Sequence, residues 1–177
     1  MHKAEKNILI LVGSSSWDTV STPNSKLISN TDCPGKVINR PGGVILNIAK
    51  HIAKKNKFTE NILFFSSIGS DFEGKQIFQK IKKSGISTIN IQKEDNASDK
   101  FVGIENKDGS LFLAISDFSC IKKAEPKLLE AIANNKSILN DKIGKTILID
   151  GNLSEKTIFQ IFDQPNLFNE NFNIISV

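Results

Sequence analysis

Short apolar runs alternate with longer amphipathic segments along most of this chain. The runs fall at Ile8 to Val12 (ILILV), Ile62 to Ser66 (ILFFS), Ser87 to Ile91, Thr146 to Asp150 (TILID) and Phe172 to Val177 (FNIISV). Their length, and in most of them the lack of in-and-out alternation, suits strands covered on both faces. Between them, apolar residues recur every three or four positions at about Val44 to Lys55, Phe72 to Lys83, Pro126 to Ala133 and Ser154 to Phe162. That is the helical period, and the alternation predicts an α/β fold with a mainly parallel sheet.

The helix ends carry their own signals. Asp71 precedes FEGKQIFQKIKKSG as an N-cap, Lys80, Lys82 and Lys83 crowd its last turn, and Gly85 follows as a left-handed stop. Pro126 stands where a first turn tolerates proline, and Ser154-Glu155 opens the last helix with a cap and an acid.

Two segments break the alternation. Thr19 to Arg40 is polar, contains Pro23, Pro34 and Gly35, and predicts at most a short strand near Val37 to Asn39. Lys100 to Ser116 reads as two strands of period two joined at Asp108-Gly109, a type I′ hairpin signal. A hairpin fits poorly inside a parallel sheet, so the two segments are expected to form a small β lid outside the core, at about residues 19–41 and 98–117.

Composition narrows the class. The 177 residues suit one domain, hydrophobic residues make up 39% and charged residues 24%, and no apolar run approaches the length of a membrane span. The first apolar run is too short for an export signal, and Cys33 and Cys120 stand apart without metal-binding spacing. A cytoplasmic protein without a membrane partner is the expectation. The net charge of +4 comes from scattered lysines; Arg40 is the only arginine and tyrosine is absent, which argues against a nucleic-acid groove.

Several familiar sites fail on spacing. GKT at Gly144 to Thr146 has Leu139 where a phosphate loop needs glycine, and it precedes a strand instead of following one. GSDFEG, Gly69 to Gly74, has Asp71 in place of the second glycine of a dinucleotide fingerprint. GSSSW is no nucleophile elbow, and His51 has no evident triad partner.

Four features survive, each at the end of a predicted strand or the start of a helix, where open α/β sheets bind ligands. Asp18 follows the first strand and could accept two hydrogen bonds from a diol, or could cap a turn. Gly42-Gly43 opens a helix without Cβ atoms, so a ligand could approach its free amides, and Asn47 one turn later would lean back over the pair. Gly69 and Gly74 flank the Asp71 cap, alone a structural feature. Asp150 and Asn152 leave a buried strand toward the same edge.

In this order the features resemble the ribokinase-like (PfkB-type) carbohydrate kinases, and within them the pseudouridine kinases. The residues that carry the resemblance are VGSSSWD (12–18), CPGKVINRPGGVILNIAKHIAKK (33–55), SSIGSDFEGKQIFQKIKKSGI (66–86), DGSLFLAISDF (108–118) and ILIDGNLSEKT (147–157). The resemblance implies a three-layer α/β/α core with a mainly parallel sheet, a small β lid and the C-terminal half missing. It implies ATP-dependent phosphorylation of a ribosyl hydroxyl, with ATP and Mg2+ as cofactors and a sugar or ribonucleoside, pseudouridine-like, as substrate.

By matching position, Asp18, Gly42, Gly43 and Asn47 would grip ribose hydroxyls, with Asn152 as a further contact and Phe101 covering the substrate from the lid. Gly69, Asp71 and Gly74 would shape the neighbouring turn and helix. The family's GxGD motif does not occur in these 177 residues, nor does its NxxE motif after FNIISV. No catalytic residue is therefore expected in this chain. The expectation is the sugar-binding portion of a kinase, or else a noncatalytic sugar-binding module or an inactive fragment, partnered through its lid in a homodimer or by a C-terminal chain.

Overall fold

The computed structural model describes residues 8–55, 62–135 and 145–164, together with the backbone of 172–176. In chain order the elements are β1 (Ile8–Val12), β2 (Ser16–Pro23), β3 (Gly35–Gly42), α1 (Val44–Lys55), β4 (Ile62–Gly69), α2 (Phe72–Lys83), β5 (Ile91–Glu94), β6 (Asp99–Glu105), β7 (Leu111–Asp117), α3 (Ser119–Ala133), β8 (Lys145–Ile149), α4 (Glu155–Phe162) and β9 (Phe172–Ser176).

β5, β4, β1, β8 and β9 form a parallel sheet in that order. Alternation along its strands sorts the core into two halves. Ile8, Ile10 and Val12 of β1, with Phe65, Ile147 and Ile149, pack against Ile121, Ala124, Leu128 and Ile132 of α3 and Ile161 of α4. Leu11, Phe64, Ile68 and Leu148 face the other way, against Ile45, Leu46 and Ala49 of α1 and Ile77 and Ile81 of α2. This is the expected three-layer α/β/α arrangement, and both faces of the sheet are dry because both are covered by helices.

The lid is a separate sheet in the order β3-β2-β6-β7. β2 pairs antiparallel with β3 and parallel with β6, and β6 pairs antiparallel with β7. It is larger than the sequence indicates. In place of a short strand near Val37 to Asn39, two eight-residue strands pair from Ser16↔Gly42 to Pro23↔Gly35. Most of their residues are partly or fully exposed, so no buried face imprints a period on the sequence.

Other boundaries also differ. The strand expected at Ser87 to Ile91 begins only at Ile91, and β4 continues past Ser66 to Gly69. α3 begins at Ser119, not at Pro126; the proline lies inside the helix, whose buried side chains Ile121, Ala124, Leu128 and Ile132 hold it against the sheet despite the lost donor. The β6–β7 connection is not type I′, since Gly109 has φ +84° while Asp108 is not in the positive region. Gly109 N donates to Asn106 O and Asn106 N to Ser110 O, the signature of a type I turn closed by a left-handed glycine, with a register shift at Ile104/Glu105.

Asp71 caps α2 and Gly85, at φ +74°, follows its end, as the sequence indicates. Cys33 and Cys120 are free, and His51 is exposed on α1. Lys145 and Thr146 of GKT are strand residues of β8, away from any helix start. Among the described residues no helix is long and apolar enough to cross a membrane.

Candidate functional site

At the carboxyl ends of β1 and β8, between the core and the lid, lies a cleft of about 180 Å³ lined by Ser14, Ser16, Asp18, Gly43, Val44, Asn47, Phe101, Phe118 and Asn152. Five residues singled out in the sequence, Asp18, Gly43, Asn47, Phe101 and Asn152, thus meet in one place, drawn from five different elements or loops. Gly42 stands directly behind them.

The glycine pair is explained by close approach. A Cβ on Gly42 would fall 1.8 Å from Asp18 Oδ2, so the carboxylate occupies the space that a side chain would take. Gly43 has φ +97°, and a Cβ there would also meet Ser14 O at 2.6 Å. Asn47 N closes the first helical turn on Gly43 O, while its side-chain amide makes no hydrogen bond to a described residue. That amide is left facing the cleft as a donor and acceptor in search of a partner.

Asp18 belongs to the lid strand β2, beyond the loop that ends β1, where sequence reading places only a residue just past a strand. Ser16 Oγ donates to Asp18 Oδ1 at 2.6 Å. The opposite wall is built from β8. Asp150, 1% exposed, accepts Ser14 N and Ser14 Oγ on Oδ2, at 3.1 and 2.9 Å, and Asn152 N and Nδ2 on Oδ1, at 3.0 and 2.8 Å. A single buried carboxylate therefore orients two cleft-lining residues. Ser14 and Phe118 are cleft-lining residues that sequence reasoning passes over, while Asp150, which the sequence places with Asn152 at this edge, stands behind the cleft; the run of small residues after ILILV is the signal for Ser14, and nothing local marks Phe118.

Gly69, Asp71 and Gly74 do not line the cleft. Asp71 Oδ1 accepts Gly74 N and Ser98 Oγ, and its Oδ2 accepts Ser98 N. Burial acts to raise its pKa, but these hydrogen bonds and Lys100 outweigh it and hold the carboxyl below its ordinary range. Cβ atoms on Gly69 or Gly74 would fall 2.3 Å from Asn96 O or 2.2 Å from Gly69 O. The motif ties α2 to the loop that leads into the lid.

The lid hairpin is fastened to the core by an aspartate at each foot. Asp99, at the start of β6, accepts Cys120 N and Ile121 N at 2.9 and 3.2 Å, and Asp117, at the end of β7, accepts Ser119 N at 3.0 Å. Both cap the N-terminus of α3. Asp99 is 1% exposed and its Oδ2 has no partner among the described residues. Burial pushes its pKa up to about 7, opposed by the two helix amides and reinforced by Asp117 and Asp150. Burial likewise pushes the Cys120 thiol up to about 11, which makes it unreactive.

Chemically, the cleft offers a carboxylate, two amides and two serines beside two half-buried aromatic rings, a pattern suited to a hydroxylated ring with an apolar or aromatic face. Among the described residues no group of three or more His, Cys, Asp or Glu is placed to hold a metal ion.

No family model matches the chain. It is 25% identical over 162 residues to a pseudouridine kinase of Escherichia coli, a match that covers 90% of this chain and 49% of the relative. Among solved structures it superimposes on a ribokinase from Giardia lamblia with a TM-score of 0.79 at 14% identity, covering 97% of this chain and 50% of that one. A ribokinase from Arabidopsis thaliana complexed with ribose and ATP gives 0.69 at 17% identity, with 96% and 53% covered. The chain spans about half the length of these relatives. It has the ribokinase-like fold and is related, over about half of their length, to the ribokinase-like carbohydrate kinases.

Proposed function

We propose that this chain supplies the sugar-recognition part of an ATP-dependent carbohydrate or nucleoside kinase acting on a ribosyl hydroxyl. The observation that carries the reading is the convergence of Asp18, Gly43, Asn47, Phe101 and Asn152 on one cleft, with Gly42 making room for the Asp18 carboxylate. In this reading Asp18 and Asn47 hold ring hydroxyls, the backbone at Gly42 and Gly43 lets the ligand approach the start of α1, and Asn152 adds a contact fixed by Asp150. Gly69, Asp71 and Gly74 shape the adjoining helix and do not touch the ligand.

Phe101 and Phe118 favour a ribonucleoside over a bare sugar, because a base can lie against an aromatic wall that a free hydroxyl at C1 cannot use. A pseudouridine-like substrate fits this preference, and the pseudouridine kinase relative supports it. ATP, with Mg2+, is the expected phosphoryl donor, and a similar structure solved with ribose and ATP supports the ATP part; this chain contributes binding and orientation.

Calorimetry with ribose, uridine and pseudouridine, followed by an assay for ATP-dependent phosphorylation with Mg2+, tests the proposal. Saturable nucleoside binding is expected, and the absence of binding by any of the three would overturn it. Binding without turnover selects the noncatalytic sugar- or nucleoside-binding reading, for which the well-formed cleft is likewise the supporting observation.

A further inference from the structure

The two feet of the lid hairpin are not alike. Asp117, at the end of β7, is exposed and holds Ser119 N from the solvent side. Asp99, at the start of β6, is 1% exposed: its Oδ1 accepts Cys120 N and Ile121 N, while Oδ2 has no partner among the described residues. A carboxyl group buried with one bare oxygen is costly as an anion unless its surroundings offset the charge.

The surroundings do so only in part. α3 turns two amides and the Cys120 thiol toward Asp99, but β7 contributes Asp117, the residue after β8 contributes Asp150, and the register partner on β2 is the uncharged Ser16. Glu94 and Asp71, which act on the Cys120 thiol, add two more acids nearby. The lysines of this region serve other carboxylates: Lys100 pairs with Glu73 and Lys127 with Glu94, and Lys100 and Lys122 act on Asp117. Docked, Asp99 therefore has its pKa pushed up to about 7, chiefly by burial, against an ordinary 3.8 in water.

We propose that Asp99 is a proton-operated hinge of the lid: neutral, it keeps β6 docked on the N-terminus of α3, and ionised, having released its proton to solvent, it draws water to Oδ2 and lets that foot come away. Ser16, its register partner, and Phe101, two residues along β6, line the cleft, so the hinge carries part of the cleft wall. Loss of the proton opens the cleft. The device belongs to the free protein and does not depend on which ligand the cleft holds.

Hydrogen exchange of single amides, followed by NMR at pH 6 and pH 8 without ligand, tests the hinge in the unaltered chain, Asp99→Asn and Asp117→Asn, each checked for folding by circular dichroism. Protection factors remove the intrinsic pH dependence of exchange. The raised pKa favours the docked foot fully below about pH 4, and this advantage is lost as pH rises through 7. Between pH 6 and pH 8 the protection of Cys120, Ile121 and the β6 amides is expected to fall about tenfold in the unaltered protein, by linkage to the one proton. It should lie below that of β1 and β4 at both values, as for an opening smaller than global unfolding. No fall is expected in Asp99→Asn, and a smaller one in Asp117→Asn, where an acid that opposes ionisation is gone. Unchanged protection in the unaltered protein, an equal fall in Asp99→Asn, or foot amides that exchange only in step with β1 and β4 would overturn the hinge. Should Asp99→Asn fail to fold, an undiminished fall in Asp117→Asn overturns it alone.

Discussion

At the scale of single residues, the glycine at position 42 and the aspartate at 18 act as one unit. Gly42→Ala puts a methyl group where Asp18 Oδ2 lies, so the carboxylate must move. Its effect on ligand affinity should match that of Asp18→Asn, a loss on the order of tenfold to a hundredfold for one charge-assisted hydrogen bond. Titration calorimetry of both variants checks this, and a Gly42→Ala protein that binds normally would show that the carboxylate is not held in place for the ligand. The pair GG is visible in sequence, but its meaning is not: the reason for the first glycine is a carboxylate 24 residues away, across a lid strand pair that the sequence barely announces.

Asp99 makes a second prediction at this scale. Its pKa rises from 3.8 in the unfolded chain to about 7 in the folded one, chiefly through burial. A group shifted upward favours the folded state while protonated, so its contribution is fully present below about pH 4 and is lost as pH rises to 7. The loss is on the order of a few kcal/mol. Asp99→Asn keeps an acceptor for Cys120 N and Ile121 N without the charge, and urea unfolding should show it more stable than the unaltered protein at pH 8 but not at pH 4. Equal pH dependence in the two proteins would contradict the assignment.

At the scale of elements, the cap of α2 and the lid differ in how plainly they are written. The Asp71 cap, the basic last turn and Gly85 were all readable, because capping is local chemistry within a few residues. Asp71 does more than cap, since Ser98 N and Oγ also donate to it and so join α2 to the approach to β6. Asp71→Ala should therefore cost more than the roughly 1 kcal/mol of an ordinary cap, about 2 to 3 kcal/mol in denaturant midpoint analysis; a cost below about 0.5 kcal/mol would contradict this network. The lid strands β2 and β3 were largely invisible for the opposite reason. Their order comes from pairing with each other and with β6, and exposed strands carry no burial pattern to read. Pro126 misled in a similar way, as a strong local start signal overridden by the buried stripe that runs through it from Ile121 to Ile132.

At the scale of the whole molecule, the alternating core was readable at β1, β4 and β8 and at α1, α2 and α4, because those strands carry buried apolar residues on both faces and those helices on one. The cleft was readable only as separate pieces, and the fold assembles them by ending β1 and β8 beneath the lid. The lid has a second face. Register places Val37, Val102, Leu113 and Ile115 on the side opposite Asp18 and Phe101, with exposures from 43% to 69%. An apolar surface of this kind supports the proposal of a homodimer through the lid. Light scattering over a range of concentrations should show association, reduced in Ile115→Lys; a monomer at all concentrations would contradict it.

The central claim is that the cleft between lid and core is a binding site for a ribosyl ligand. The most direct measurement is calorimetric titration of pseudouridine into the unaltered protein and into Asn47→Ala, whose exposed side chain makes no hydrogen bond to a described residue. The account predicts saturable binding at one site per chain, weakened about tenfold or more in Asn47→Ala with thermal stability unchanged. Binding of equal strength in both proteins, or no binding to the unaltered one, would contradict it.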